Sequence, residues 1–118
     1  MPGQLAVRYL ALGATDVRYV GKPHPLIYET CVRRVPGGAA GGARLIGVGD
    51  SLHHDVLGAG AAGIASLFVC SGVHYKDLGV MQASAEPPDA GKLAKLLDGF
   101  AADHDGCRPT HSIAAFRL

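Results

Sequence analysis

Two short apolar runs, separated by a helix-length segment, constrain the fold of this chain more than any other feature. Residues 44–49 contain Leu-Ile-Gly-Val-Gly, and residues 65–70 read Ala-Ser-Leu-Phe-Val-Cys. Nearly continuous apolar runs of this length are typical of strands buried on both faces of a parallel sheet. The segment between them predicts a helix over residues 52–62, with Ser51 as its N-cap and Gly63 directly after its end. We therefore predict an α/β fold built on a right-handed β-α-β unit.

The remaining segments predict helices and one further strand around this unit. Apolar positions that recur every three or four residues indicate helices, and glycine or proline marks their ends. In chain order, the predicted elements are a helix at residues 4–12, an extended stretch at 17–20, a helix from 25 to about 35, a helical turn at 74–79, a helix at 91–102 and an edge strand at 110–118. The predicted apolar face of the second helix consists of Leu26, Ile27, Cys31, Val32 and Val35.

Composition and charge limit the kinds of partner. The chain has 118 residues, a formal charge of +1, 48% hydrophobic residues and 18% charged residues, which is typical of a globular protein. Its basic residues are scattered, so the sequence predicts no basic patch that would bind nucleic acid or an anionic membrane. No signal peptide or membrane span is apparent, and three irregularly spaced cysteines favour a reducing compartment. We expect a protein of the cytoplasm or an organelle stroma that binds a small molecule.

Two carboxylates follow the first predicted strand. Asp50 lies at the carboxyl end of this strand, and Asp55 lies about one helical turn further on. In open α/β sheets, ligands bind at this end of the strands, and magnesium favours hard oxygen ligands together with phosphate oxygens. The helix start at Ser51 offers a place for the phosphate. Alternatively, Asp50 and Ser51 only cap the helix and Asp55 is solvated; spacing alone leaves both interpretations open.

A lysine on a proline-containing turn adds a cation. The sequence Gly-Lys-Pro puts Lys22 just before a predicted helix, where its amine can meet a phosphoryl group as a point charge. A single lysine is normally only a surface residue. Together with the aspartate pair, however, Lys22 makes a magnesium and phosphoryl site the stronger interpretation.

These motifs resemble those of a known enzyme superfamily. Residues 21–28 (Gly-Lys-Pro-His-Pro-Leu-Ile-Tyr), 47–56 (Gly-Val-Gly-Asp-Ser-Leu-His-His-Asp-Val) and 62–74 look like the third and fourth motifs of haloacid-dehalogenase-like (HAD) phosphatases. More narrowly, they resemble the branch with a large type II cap, which includes p-nitrophenylphosphatase-like and pyridoxal-phosphatase-like proteins. Residues 5–13 are similar to the segment that leads out of that cap, and residues 109–116 resemble the ending of the branch.

The resemblance implies both a fold and an activity. The fold would be the C-terminal half of a HAD-like Rossmannoid core, with residues 1–20 a remnant of the cap exit and residues 21–118 part of the core domain. Lys22 would neutralise the charge of the nucleophile and phosphoryl group, Asp50 would bind Mg²⁺, and Asp55 would be its second or outer-shell partner. The implied parent activity is magnesium-dependent hydrolysis of a phosphate ester through an aspartyl-phosphate.

The aspartate nucleophile of the family has no counterpart in the sequence. Nothing before Lys22 matches the family's Asp-x-Asp strand. Residues 103–106 read Asp-His-Asp-Gly, but they follow an amphipathic helix, precede Cys107 where threonine is usual, and therefore predict a loop. Ser71 resembles the serine of the family's second motif. It comes at the end of the strand that follows the fourth motif, however, so we do not assign it that role. The resemblance thus implies that the motif-one strand and most of the cap are absent, and that the isolated chain is inactive.

The missing strand has a physical consequence. In HAD folds, the strand that ends in Asp50 lies beside the motif-one strand. Without this neighbour it would present an unpaired apolar edge, which predicts poor solubility or association. A phosphorylated small molecule would be bound only if an N-terminal half completed the site.

Three other interpretations remain. One is a non-catalytic pseudoenzyme or interaction fragment. A second is a dinucleotide-binding module, because residues 58–63 match Gly-x-Gly-x-x-Gly, although they lie at the end of a helix rather than directly after a strand. The third is a zinc module, whose candidate ligands are Cys70, His74, Cys107 and His111.

Overall fold

Three strands and five helices, one of them continuing a π-helical segment, make up the described part of the molecule. The structure is a computed structural model that describes residues 2–36 and 44–117. Its elements in chain order are α1 (Pro2–Ala11), α2 (Pro25–Arg34), β1 (Ile46–Gly49), a π-helical segment (Leu52–Val56) that continues into α3 (Leu57–Ala61), β2 (Ala65–Val69), α4 (Tyr75–Leu78), α5 (Ala90–Asp103) and β3 (His111–Ile113). None of the helices in these ranges is long and apolar enough to cross a membrane.

The strands form one parallel sheet in the order β1-β2-β3. Gly49 of β1 pairs with Phe68 of β2, and Phe68 pairs in turn with Ser112 of β3. Because all three strands run in the same direction, their carboxyl ends meet at one edge of the sheet. This arrangement confirms the predicted α/β fold, and it confirms the predicted strand at the end of the chain over a shorter range.

The core lies between the sheet and the helices. Fully or almost fully buried side chains come from β2 and the residue after it, the π-helical segment, α4 and α5. They are Leu52, Val56, Phe68, Cys70, Leu78 and Phe100, with Leu93, Leu96 and Leu97 of α5 packed against them. Burial of these side chains is the main stabilising contribution to the fold and holds the π-helical segment against the sheet.

Strand β1 is more open than its sequence predicts. Ile46 and Val48 remain 48% and 42% exposed, so the prediction of a strand buried on both faces is wrong for β1 in the described residues. Side chains alternate across a strand, and in β1 the inward positions are glycines. At Gly47 the Cβ of Ala59 in α3 comes close, whereas Ile46 and Val48 lie on the other face. The strand also has no neighbour on its outer edge within the described sheet.

The crossover between β1 and β2 is not a uniform α-helix. The Ser51 carbonyl accepts from both Asp55 N–H at 2.8 Å and Val56 N–H at 3.2 Å, and Leu57 N–H donates to the Leu52 carbonyl. These wider hydrogen bonds add one residue to the first turn, a feature that is frequent at functional sites. The helix ends at Ala61, and Gly63 shortly after it has a φ of +67°, as expected for a glycine after a helix end.

Helix α2 packs differently from its predicted apolar face. Leu26 is 43% exposed and Cys31 is also exposed, whereas Tyr28 is buried. The reason is its neighbour: α2 lies against α3, where Tyr28 meets Gly58. Helix α1 lies apart from the core, since its side chains Leu5, Val7 and Tyr9 are all more than half exposed.

Candidate functional site

Lys22 and Asp55 are in direct contact at the carboxyl edge of the sheet. Lys22 Nζ donates a hydrogen bond to Asp55 Oδ1 at 2.5 Å, although the two residues are 33 positions apart. The lysine side chain is 54% exposed, whereas the aspartate side chain is only 9% exposed. The hydrogen bond to Asp55 raises the pKa of the Lys22 amine above its ordinary value, so the amine remains cationic at neutral pH.

Asp55 is held in place by its own helix start. Its second carboxylate oxygen, Oδ2, accepts the backbone N–H of Ser51 at 3.0 Å. Position 49 must be glycine for this arrangement, because a Cβ there would overlap the Asp55 side chain. Both oxygens of Asp55 therefore have protein partners, and its buried position leaves it little room to move.

Asp50 is fixed by the loop that follows β2. Its Oδ2 accepts the Val73 N–H at 2.9 Å, and a Cβ at position 72 would overlap the Asp50 side chain. Asp50 Oδ1 accepts no hydrogen bond from the residues that the structure describes. The side chain lines an open cavity of about 520 Å³, together with Ser71 and Arg117.

Ser51 caps the helix as its sequence position predicts. Its hydroxyl oxygen accepts the His54 N–H at 3.3 Å and lies 2.8 Å from His54 Nδ1. This satisfies one of the free N–H groups at the helix start. The hydroxyl is thus engaged within the chain, and its predicted contact with a phosphate stays a prediction.

Tyr28 is a supporting residue that sequence reasoning missed. Its hydroxyl donates to the His54 carbonyl at 3.0 Å and lies 3.4 Å from the Asp55 carbonyl. Burial raises the pKa of the Tyr28 hydroxyl, so the group is neutral and acts as a donor. Tyr28 therefore ties α2 to the segment that carries Asp55. The signal in the sequence was Gly58 of α3: because it has no side chain, the Tyr28 ring of α2 can pack closely against it.

The carboxylates suit magnesium better than a softer metal. No group of three or more His, Cys, Asp or Glu side chains that could hold a metal ion occurs among residues 2–36 and 44–117. Asp50 Oδ1 is a hard oxygen open to a cavity, and magnesium commonly takes one or two carboxylates and keeps several waters. The chemistry of the Asp50 carboxylate fits such an ion, and Asp50 would be the residue that holds it.

The alternative motifs are not assembled into sites in the described structure. The four candidate zinc ligands do not form a metal-binding group there, and burial raises the pKa of the Cys70 thiol, which disfavours the thiolate that zinc requires. Residues 58–63 lie in α3 and at its end, where their small size lets α2 and β1 approach. Asp103 ends α5, and Asp105 and Gly106 form a turn with positive φ, as predicted for a loop.

Comparison with known proteins identifies the family and supports the fold. Residues 19–99, more than half of the chain, match the HAD-hydrolase-like family. The fold is similar to a crystal structure of a hydrolase of the haloacid dehalogenase-like family from Brucella suis 1330, with a TM-score of 0.53 and 29% sequence identity. The match covers 98% of this chain but only 36% of that protein. No curated protein matches the chain. By its family match, this chain belongs to the HAD-hydrolase-like family.

Proposed function

We propose that this chain supplies the lysine and metal-aspartate part of a magnesium-dependent phosphohydrolase site. The observation that carries the proposal is the contact between Lys22 Nζ and Asp55 Oδ1, with Asp50 at the tip of the adjoining strand. A cation, a buried carboxylate and a cavity-facing carboxylate are the groups that phosphoryl transfer requires for charge neutralisation.

Each residue has a distinct role in this proposal. Lys22 binds a phosphoryl oxygen and balances its charge, while Asp55 keeps the amine protonated and oriented. Asp50 would hold Mg²⁺ through Oδ1, and the Val73 N–H keeps its carboxylate directed at the cavity. When bound, the ion supplies Lewis-acid polarisation of the phosphoryl oxygen. The backbone N–H groups at the helix start near Ser51 would bind the phosphate.

In this proposal, the chain contains neither the aspartate nucleophile nor most of the cap. We assign the chain to the type II-cap branch, with residues 1–20 as the cap exit and residues 21–118 as the C-terminal part of the core. An Asp-x-Asp strand supplied from elsewhere would form the aspartyl-phosphate, and the cap would select a phosphorylated small molecule. The three free cysteines support a reducing compartment such as the cytoplasm or an organelle stroma.

Hydrolysis of p-nitrophenyl phosphate tests this proposal. The chain alone should show no turnover with Mg²⁺, whereas co-expression with an N-terminal segment carrying Asp-x-Asp should restore it. Asp50→Asn should abolish the restored activity, and Asp16→Asn, which alters an exposed aspartate outside the site, should leave it unchanged. Turnover by the 118-residue chain alone that Asp50→Asn removes would show that the nucleophile assignment is wrong.

A non-catalytic role as an interaction fragment is the second candidate. The observation that favours it is the open outer edge of β1, where Ile46 and Val48 are exposed. An unpaired apolar strand edge is a template for pairing with another chain. Restored turnover in the co-expression experiment would exclude a purely non-catalytic role.

A further inference from the structure

Two histidines meet on the side of the core occupied by α5. His53 Nδ1 and His104 Nε2 lie 3.2 Å apart, although 51 positions separate the residues in sequence. The Phe100 ring lies against both imidazoles, with centroid distances of 5.3 Å to His53 and 4.5 Å to His104. Phe100 is a buried core residue, whereas His53 is exposed. The pair is therefore supported on one side and accessible from the other.

The separation of these nitrogens matches that of two imidazoles on one metal ion. Nitrogens bound at about 2.0–2.1 Å lie roughly 2.8–3.4 Å apart when the bond angle is between a right angle and the tetrahedral angle. The observed 3.2 Å falls within this range. In this contact one imidazole N–H donates to the other ring, so an ion would replace that proton and be shared by the exposed His53 and the half-buried His104.

We propose that His53 and His104 form a two-ligand site for a divalent transition-metal ion that prefers imidazole, such as Ni²⁺, Co²⁺ or Zn²⁺. No third His, Cys, Asp or Glu side chain completes a metal-binding group in the described residues, so water fills the remaining positions. His53 lines a groove whose charged residues balance, since it contains Lys92 and Lys95 as well as Asp77 and Asp103. The affinity for the ion would therefore come from the imidazoles. The site differs from Asp50, whose oxygen donors favour magnesium.

Binding at this pair is coupled to folding. The two ligands belong to the π-helical segment and to the end of α5, and only the folded chain brings them together. An ion that binds the native state and not the unfolded chain stabilises the native state in proportion to the logarithm of its concentration. Nickel should therefore raise the melting temperature through His53 and His104, whereas any effect of Mg²⁺ should come from Asp50 and persist when His104 is replaced.

Thermal unfolding with and without Ni²⁺ tests the proposal. We expect a rise of about 5 °C or more once nickel exceeds its dissociation constant about tenfold. His53→Gln and His104→Gln should each weaken nickel binding about tenfold or more, because one chelating arm is lost. His111→Gln, at an exposed histidine of β3, should keep the full rise. An unchanged melting temperature in the wild type, or a rise that persists in His104→Gln, would overturn the site.

A second measurement does not depend on any variant. Paramagnetic Ni²⁺ added to the unmodified chain should broaden the imidazole NMR resonances of His53 and His104 at lower concentrations than that of His111. Broadening that begins at His111 or at another histidine would refute the assignment, even if the variants fail to fold.

Discussion

Asp55 uses its two carboxylate oxygens to join two parts of the chain: Oδ1 accepts from Lys22 Nζ at 2.5 Å, and Oδ2 accepts from the Ser51 N–H. The first bond crosses from the turn before α2, and the second closes the start of the π-helical segment. In this geometry Asp55 orients the lysine and leaves Asp50 to face the cavity. In the proposed site, Asp55 is therefore a residue that positions Lys22.

Double-mutant analysis should detect the Lys22–Asp55 interaction. Lys22→Met and Asp55→Asn, singly and together, should give a coupling free energy of about 0.5–1 kcal/mol in urea unfolding, a modest value because the lysine is half exposed. The exposed Arg18–Asp16 pair, with its atoms 3.4 Å apart, is the matched control and should show no measurable coupling. Equal coupling in both pairs would contradict the special role of Asp55.

The pH dependence of stability should also report this contact. The folded-state pKa of Lys22 is raised above its ordinary 10.5, chiefly by the hydrogen bond to Asp55. The associated stability is therefore fully present below pH 10.5 and is lost as the pH rises through the higher folded value. Asp55→Asn should reduce this alkaline loss, as measured by urea unfolding between neutral and strongly alkaline pH. An identical alkaline loss in the variant would show that Lys22 does not cause it.

Tyr28→Phe should loosen the segment that carries Asp55. The change removes the hydroxyl that donates to the His54 carbonyl and should cost about 0.5–1.5 kcal/mol of the free energy of unfolding at neutral pH. Tyr9→Phe, at an exposed tyrosine of α1, is the matched control and should have no effect. Amide hydrogen exchange of residues 52–56 should accelerate only in the first variant; unchanged exchange there would count against the tether.

Gly49→Ala should disturb the site, because the added Cβ would overlap the Asp55 side chain. We expect a loss of about 1–3 kcal/mol in the free energy of unfolding and a fall in the Lys22 pKa as Asp55 moves. Gly99→Ala provides the control: nothing lies within 4 Å of its added methyl group, and it should be neutral or stabilise α5 by up to about 1 kcal/mol. A fully stable Gly49→Ala chain with an unchanged Lys22 pKa would be inconsistent with the described contact.

Association should depend on the outer edge of β1. We expect the wild-type chain to self-associate at high concentration and Val48→Lys to shift it towards monomer, as measured by sedimentation velocity, because a charge on an edge strand opposes pairing. Val73→Lys alters an exposed apolar residue of a loop and should keep the association. A wild-type chain that remains monomeric and unfolds cooperatively would refute this prediction.

Several features of the fold and site were predictable because their signals are local. Ser51 can cap a helix with its own side chain, and Gly63 can adopt positive φ without help from distant residues. The two apolar runs likewise predict strands from their own composition. Lys22 and Asp55 were candidates through motif resemblance, but no local pattern specifies that they touch.

The sequence by itself determined the β-α-β order, the capping residues and the candidate polar groups, since these depend on side chains a few positions apart. Only the tertiary structure decided which groups meet: Lys22 with Asp55, Tyr28 with the His54 carbonyl, and His53 with His104. It also decided that Ile46 and Val48 stay exposed, because burial depends on what packs against a strand and not on the strand alone. Contacts across 26 to 51 positions form only when the core brings the elements together.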